Sequence, residues 1–200
     1  MKHREIWQGC ANWVGAELDS NALERLDQYQ HWLAEEGIVS GGLGPAELPR
    51  LHDRHLADSI LFAAGFYLIP DRVLDIGSGV GLPGIPLAIL WGDTRFTLLD
   101  RSQRRADLMK RVVRILDLEN VTVEQGEIEQ RSGVEMAVVS RATLPPDRAR
   151  DLIGSRLRPG GVAVLGGSWT QRPVFEGWAT LEIPASVLDH SLWLLIMRQT

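Results

Sequence analysis

The sequence predicts an α/β protein, with a doubly wound, mostly parallel sheet preceded by a helical cap and finished by an antiparallel hairpin. Three observations carry that expectation. Beyond Pro70, short apolar runs alternate with stretches of helical length, the pattern of parallel strands joined by crossover helices. The first run, Val73-Leu74-Asp75-Ile76, opens into Gly77-Ser78-Gly79-Val80-Gly81-Leu82-Pro83-Gly84, a glycine turn that leads from strand to helix. The tail breaks the alternation, because Ala179 to Pro184 and Ser191 to Met197 read as two strands with no room for a helix between them, hence an antiparallel pair at the sheet edge.

Taken in order, residues 4 to 36 are rich in helix formers, with Leu23, Leu26, Trp32 and Leu33 at helical spacing. Ser40-Gly41-Gly42-Leu43-Gly44-Pro45 marks a loop, and Pro45 to Leu68 turns helical again, carrying Arg54-His55-Leu56-Ala57-Asp58-Ser59. Strands are expected near 72 to 76, 96 to 100, 121 to 125, 136 to 140 and 161 to 165, with helices near 84 to 91, 102 to 116 and 146 to 157. Leu157-Arg158-Pro159-Gly160-Gly161 reads as the turn into the fifth strand. The chain therefore divides into a helical cap, 1–69, and a ligand-binding core, 70–200, within one compact domain, as suits 200 residues. The cap precedes the first strand and is placed to close over whatever the sheet binds.

Composition narrows the function classes. A formal charge of −5 means that the whole molecule does not attract nucleic acid, so RNA binding requires a local basic surface. Lysine occurs only at Lys2 and Lys110, so nearly all the cations are arginine. Arg101, Arg104, Arg105, Arg111 and Arg114 fall on a broad face of the helix after the second strand, either as a solvated face or as an RNA-facing patch. Cys10 is the single cysteine, which excludes an intrachain disulfide and fits a reducing cytoplasm. The amino terminus leads into no signal-like apolar run, and no stretch is long enough for a bilayer, so a soluble, cytoplasmic protein without membrane contact is expected.

The glycine turn carries the chemistry. Glycines adopt positive φ and let the backbone approach a ligand with no Cβ in the way. Phe96-Thr97-Leu98-Leu99-Asp100 follows as an apolar strand ending on a carboxylate, placed to accept hydrogen bonds from a pair of ribose hydroxyls. Gly79-Val80-Gly81-Leu82-Pro83-Gly84 also satisfies the dinucleotide fingerprint G-x-G-x-x-G. A pyrophosphate, however, calls for free backbone N–H donors at the helix start, and Pro83 and Pro86 have none. Asp75 precedes the turn in the pattern D-x-G-x-G-x-G, where a carboxylate can orient the ammonium of a methionine moiety. S-adenosylmethionine fits better than a nicotinamide dinucleotide, with Asp75, Gly77, Gly79, Gly81 and Asp100 as binding candidates. His55 and Asp58, three apart, share a helix face either as an acid/base pair or as a structural hydrogen bond. No metal is expected.

Arg54-His55-Leu56-Ala57-Asp58-Ser59, Leu82-Pro83-Gly84-Ile85-Pro86-Leu87, Phe96-Thr97-Leu98-Leu99-Asp100, Leu118-Glu119-Asn120-Val121 and Ser140-Arg141-Ala142 together resemble the bacterial RsmG family, also called glucose-inhibited division protein B. The resemblance runs from about His52 to Ala142. It implies a class I methyltransferase, Rossmann-like fold, S-adenosyl-L-methionine as cofactor and methylation of guanine N7 in 16S ribosomal RNA, with the 30S subunit as partner. It also implies that Gly77 and Leu82 line the methionine end of the site, that Ile128 and Glu129 flank the adenosine, and that Arg141 sits at the mouth shared by cofactor and substrate as a positioning group. Read from the residues alone, Leu82 and Ile128 are equally core positions and Glu129 a solvated charge.

Guanine N7 carries a free lone pair, so its methylation needs no general base and rests on positioning. The segment Ser140-Arg141-Ala142-Thr143-Leu144-Pro145-Pro146-Asp147 lacks the Asp/Asn-Pro-Pro-aromatic motif of exocyclic-amine methylation. Three departures from the family fall where substrate contacts are expected. Its Asn-Leu-Thr segment has no counterpart before Arg54, its Leu-Lys-Gly reads Leu165-Gly166-Gly167, and its Arg-His reads Asp189-His190. The competing expectations are a methyltransferase of another RNA or a small molecule, a catalytically silent cofactor-binding module and, last, a nicotinamide oxidoreductase.

Overall fold

The computed structural model describes residues 2–142, 145–167, 169 and 171–200; Thr143 and Leu144 of the segment after the fourth strand lie outside them. Seven strands, Arg72–Ile76 (β1), Arg95–Asp100 (β2), Val121–Gln125 (β3), Glu135–Arg141 (β4), Leu157–Gly166 (β5), Ala179–Ile183 (β6) and Leu192–Arg198 (β7), form one sheet in the order β3-β2-β1-β4-β5-β7-β6. β1 to β5 are mutually parallel, and β7 runs antiparallel to both β5 and β6. The strand order reverses beside β1, which lies between β2 and β4. In an open α/β sheet that reversal splays the connections apart and leaves a crevice beyond the strands' carboxyl ends.

The crossover helices are Gly84–Leu90 (α4), Gln103–Ile115 (α5) and Pro146–Gly154 (α6). Every residue of α4 is buried, because it is sandwiched between the sheet and the amino-terminal cap. α5 begins on Ser102, whose hydroxyl caps Arg105 N–H, and buries Ala106, Met109, Val112 and Val113 while its arginines face outward. The predicted strands and crossover helices match these elements closely, apart from β5. Its pairing with β4 jumps from Glu135–Leu157 to Ala137–Val162, so the expected turn Leu157–Gly161 lies inside one long strand as a bulge, with Gly160 at φ +80°. In the tail, β6 and β7 pair as expected. The four-residue helix Ala185–Leu188 (α7) nevertheless fits between them, ending on Asp189 in the left-handed region. A single turn of helix needs no more chain than a long hairpin loop.

The cap departs further from expectation. Residues 4 to 36 form two helices, Lys2–Trp13 (α1) and Ser20–Trp32 (α2), separated at Gly15, which adopts φ +77°. Asp19 restarts the helix by accepting the Ala22 N–H at 2.7 Å. After α2 the backbone widens into a π turn, Leu33–Gly37, in which Ile38 N–H bonds the Leu33 carbonyl. The predicted helix from Pro45 to Leu68 is a chain of short pieces: a 3₁₀ segment, Pro45–Arg50, a π segment, Leu51–Ala57, one α turn, Asp58–Leu61 (α3), and a second 3₁₀ turn, Phe62–Gly65. Pro45 and Pro49 withhold the N–H groups that a continuous α-helix would use. Among the described residues no helix is long and apolar enough to cross a membrane.

Cap and core share one interior. Trp7, Leu26, Tyr29, Leu33, Leu56 and Leu61 belong to the same apolar cluster as Ile85, Phe96 and Leu98, while α6 and the opposite sheet face build a second cluster around Leu74, Val138 and Leu165. Tyr29 is fully buried and donates its hydroxyl to the Val80 carbonyl at 2.8 Å, joining α2 to the glycine turn. Tyr29→Phe leaves that carbonyl dry and unpaired and is expected to lower unfolding free energy by about 1–3 kcal/mol. Chemical denaturation midpoints of the two proteins measure it, and an unchanged midpoint would show that the bond contributes nothing.

Candidate functional site

Beyond the carboxyl ends of β1, β2 and β4 opens a cavity of about 970 Å³, closed on one side by the cap and on another by the start of β7. Of the residues singled out from sequence, Gly77, Gly79, Leu82, Asp100, Ile128, Glu129 and Arg141 line it; Asp75 and Gly81 stand behind its wall.

Asp75 is fully buried under the turn. Its Oδ2 accepts the Gly84 N–H at 2.9 Å, while Oδ1 is buried with no hydrogen-bond partner among the described residues. Burial pushes its pKa up to about 7, against the smaller opposing pull of the Gly84 amide. The expectation that this carboxylate faces a ligand's ammonium is not how the structure places it; it fastens the turn from beneath. Gly84 admits no larger residue, since a Cβ would meet Leu98 and sit 2.6 Å from Asp75 Oδ2. Gly81, at φ +102°, lies against Ile85 and the Tyr29 hydroxyl.

The amides that open α4 are all accounted for. Gly84 N–H goes to Asp75, Ile85 N–H to the Gly81 carbonyl at 2.7 Å and Leu87 N–H to the Pro83 carbonyl at 3.2 Å, and Pro86 has none to give. A helix start whose donors are consumed internally offers nothing to a pyrophosphate.

Asp100, at the end of β2, is 3% exposed yet reaches the cavity wall. Oδ2 accepts the Gly79 N–H at 3.0 Å and Oδ1 the Ser102 N–H at 2.9 Å, with Arg105 Nη1 3.7 Å from Oδ2. These bonds fix the carboxylate plane and leave further lone pairs for a ligand. Ile128 is buried, and the exposed Glu129 faces Arg148 at 3.8 Å.

Arg141 ends β4 and joins core to cap. Its Nη2 lies 3.0 Å from His55 Nδ1, and Nη1 donates to the Arg54 carbonyl at 3.4 Å. A guanidinium can only donate, so His55 Nδ1 accepts and its Nε2–H donates to Glu47 Oε2 at 3.0 Å. The imidazole is thereby held neutral, and burial first, then the Arg141 charge, lower its pKa. Burial likewise lowers the pKa of Arg141, opposed by Asp58 foremost among the surrounding groups. His55 and Asp58 do line the site, but each bonds a distant element rather than the other: Asp58 Oδ1 pairs with His190 Nε2 at 3.1 Å.

Several wall residues carried no sequence signal. Phe62, Trp169, Trp193 and Glu47 line the cavity, Glu47 also orienting His55, while His190, noted in sequence only beside the Asp189 departure, holds Asp58. Phe62 explains Gly166: its ring occupies the space a side chain there would need, and the Trp169 indole does the same at Gly167, 2.7 Å from a Cβ position. Asp189 is exposed in a left-handed turn and takes no part in the wall. Six arginines, Arg50, Arg54, Arg101, Arg105, Arg141 and Arg148, line the cavity against five carboxylates, Glu47, Asp58, Asp100, Glu127 and Glu129, so the local balance is more positive than the chain's −5. Of the five arginines around α5, Arg101 and Arg105 reach the site, while Arg111 pairs with Glu36 at 3.1 Å.

A family model described as rRNA small subunit methyltransferase G matches residues 22–172. A ribosomal RNA small subunit methyltransferase G from Acidothermus cellulolyticus is 39% identical over 159 residues, 74% of this chain and 70% of that protein. Its namesake from Streptomyces coelicolor is 40% identical over 139 residues, 67% of this chain and 57% of that protein, so the chain spans little more than half of the latter's length. Among solved structures, a point mutant of MtNAS in complex with S-adenosylmethionine superposes with a TM-score of 0.59 at 17% identity, covering 88% of this chain and 73% of that one. At that identity the likeness is one of fold.

Asp75 makes stability depend on pH. Its pKa rises from 3.8 to about 7 on folding, so the folded state keeps a proton that the unfolded chain releases. The associated stabilisation is complete below pH 3.8 and is lost as the pH rises through 7. Asp75→Asn keeps an acceptor for Gly84 N–H and removes the titration. Between about pH 5 and about pH 8 the wild type is expected to lose on the order of 2 kcal/mol relative to the variant in urea unfolding. Parallel profiles would acquit Asp75.

Proposed function

The chain belongs to the rRNA small subunit methyltransferase G family, and we propose that it transfers a methyl group from S-adenosylmethionine to N7 of a guanine in 16S ribosomal RNA. The observation that carries this reading is that the family match, residues 22–172, spans the glycine turn, Asp100 and Arg141, which here converge on one cavity. A ribosomal substrate assigns the protein to the cytoplasm, with the 30S subunit as partner.

The residues fit a sulfonium nucleoside. Asp100 offers a carboxylate to vicinal ribose hydroxyls, Gly77 and Gly79 let the backbone close on the ligand, Leu82 borders the methionine end, and Ile128 with Glu129 flanks the adenine. The closed amides of α4 disfavour a dinucleotide. When bound, the cofactor supplies an electrophilic methyl group on a charged sulfur. The protein's task is then to align a lone pair with that methyl and exclude water. Arg141, held by His55 and the Arg54 carbonyl, is placed to steer the acceptor at the mouth. His55 is no candidate base, since both ring nitrogens are engaged. An acceptor whose lone pair is already free, as guanine N7 is, suits such a site. A different acceptor is the second reading, favoured by Gly166 and Asp189, where the family pattern is basic.

Methyl transfer from labelled S-adenosylmethionine to 30S particles lacking the modification is expected, with 7-methylguanosine as the product in nucleoside mass spectrometry. Transfer only to a small-molecule extract would favour the second reading. Asp100→Ala should weaken S-adenosylmethionine binding by roughly 1–3 kcal/mol in calorimetry, the cost of stranding buried polar partners. An unchanged affinity would remove Asp100 from the site.

A further inference from the structure

We propose that Asp58, beside Arg141, reads the Watson–Crick edge of the acceptor guanine, its carboxylate accepting from N1–H and the 2-amino group while the Arg141 guanidinium donates to O6. The inference deepens the function proposed above and rests on it.

The chemistry sets the need. Guanine and adenine both carry a free lone pair on N7, so an enzyme that methylates N7 cannot choose between purines by the reacting atom. Discrimination has to come from the other edge. There guanine presents an acceptor, O6, followed by two donors, N1–H and the 2-amino group; adenine presents a donor, its 6-amino group, followed by an acceptor, N1. A guanidinium beside a carboxylate complements the first pattern. It meets the second with donor against donor and a carboxylate against a lone pair, and in a desolvated site such mismatches are expensive. Holding guanine by that edge also leaves N7, on the far side of O6, unobstructed.

The structure supplies this pairing. Asp58 opens α3, is 8% exposed and lies on the cavity wall. His190, arriving from the segment before β7, holds Oδ1 at 3.1 Å, which fixes the carboxylate's orientation from behind. Arg141 lines the same cavity and reaches the segment that carries Asp58, its guanidinium contacting His55 Nδ1 at 3.0 Å and the Arg54 carbonyl at 3.4 Å. One turn beyond Asp58, Phe62 packs its ring against Gly166 and backs the same wall, so the carboxylate is set on a rigid, apolar support. The other buried wall carboxylate, Asp100, is bound to two backbone amides on the turn side, and Glu47 is bound to His55.

The test uses 30S particles reconstituted with 16S rRNA that carries either guanosine or inosine at the acceptor position; inosine lacks only the 2-amino group. With the wild-type protein at saturating S-adenosylmethionine, kcat/KM is expected to favour guanosine by about tenfold. In Asp58→Asn, whose amide turns an N–H toward a guanine donor, activity on guanosine should fall by at least about tenfold and the preference should shrink below about twofold. S-adenosylmethionine affinity measured by calorimetry should stay unchanged, which separates loss of recognition from loss of fold. Asp58→Ala, expected to show the same collapse, serves if the asparagine variant does not fold. A variant that binds cofactor and keeps the wild-type preference for guanosine overturns the assignment, as does a wild type indifferent to inosine. A wild type that methylates neither particle overturns the proposed function and this inference with it.

Discussion

The hydrogen bond from the Gly84 amide to Asp75 Oδ2 sets the shape on which the rest of the site depends. It draws the first turn of α4 down onto the end of β1, and that approach is possible only because position 84 has no side chain. With the helix start fixed, residues 77 to 80 must arch over the strand ends, and Asp100 fastens the arch from the neighbouring strand through the Gly79 amide. Tyr29 holds it from the cap side through the Val80 carbonyl. Two carboxylates and a phenol thus define the turn with no contribution from a ligand. A loop ordered in advance does not spend binding free energy on its own ordering.

The same enclosure creates an electrostatic difficulty that the cap resolves. Arg141 is desolvated at the end of β4, and a charge removed from water is tolerated only where its hydrogen bonds and counter-charges are supplied. Among the described residues the cap supplies several of them: His55 and the Arg54 carbonyl accept its hydrogen bonds, and Asp58 and Glu47 provide negative charge. The irregular run of π and 3₁₀ turns from Pro45 to Gly65 is the backbone that presents these groups. Cap and core, which the sequence pattern separates at residue 69, therefore meet in a shared apolar cluster and at a shared charged centre.

Legibility followed the range of the interactions. β1 to β4, the glycine turn and Asp100 were readable because strand period, positive-φ glycine and a terminal carboxylate are local signals. The break at Gly15 and the cap at Asp19 were also local, but helical spacing through Leu23 and Leu26 overshadowed them. Asp75 was readable as important and misread in direction, since a pattern of alternating glycines does not say whether a carboxylate points outward or under the turn. Phe62 over Gly166, and His190 on Asp58 across 132 residues, were invisible, because nothing near either residue in sequence announces the partner. The missing lysine at position 166 is intelligible only with that aromatic ring in view.

Those long-range contacts also bear on what kind of chemistry the cavity can host. A side chain that removes a proton needs an available lone pair facing the substrate, and His55, the histidine on the wall, has none: one nitrogen receives Arg141 and the other donates to Glu47. Protonating His55 would turn its accepting nitrogen into a donor opposed to the guanidinium, so the contact that holds Arg141 is itself an argument for a neutral, passive imidazole. The wall is furnished instead with fixed donors, oriented carboxylates and aromatic faces. Such groups align reactants and select among them, and for a reaction in which the acceptor already carries its lone pair, alignment in a water-poor cleft is the principal catalytic requirement.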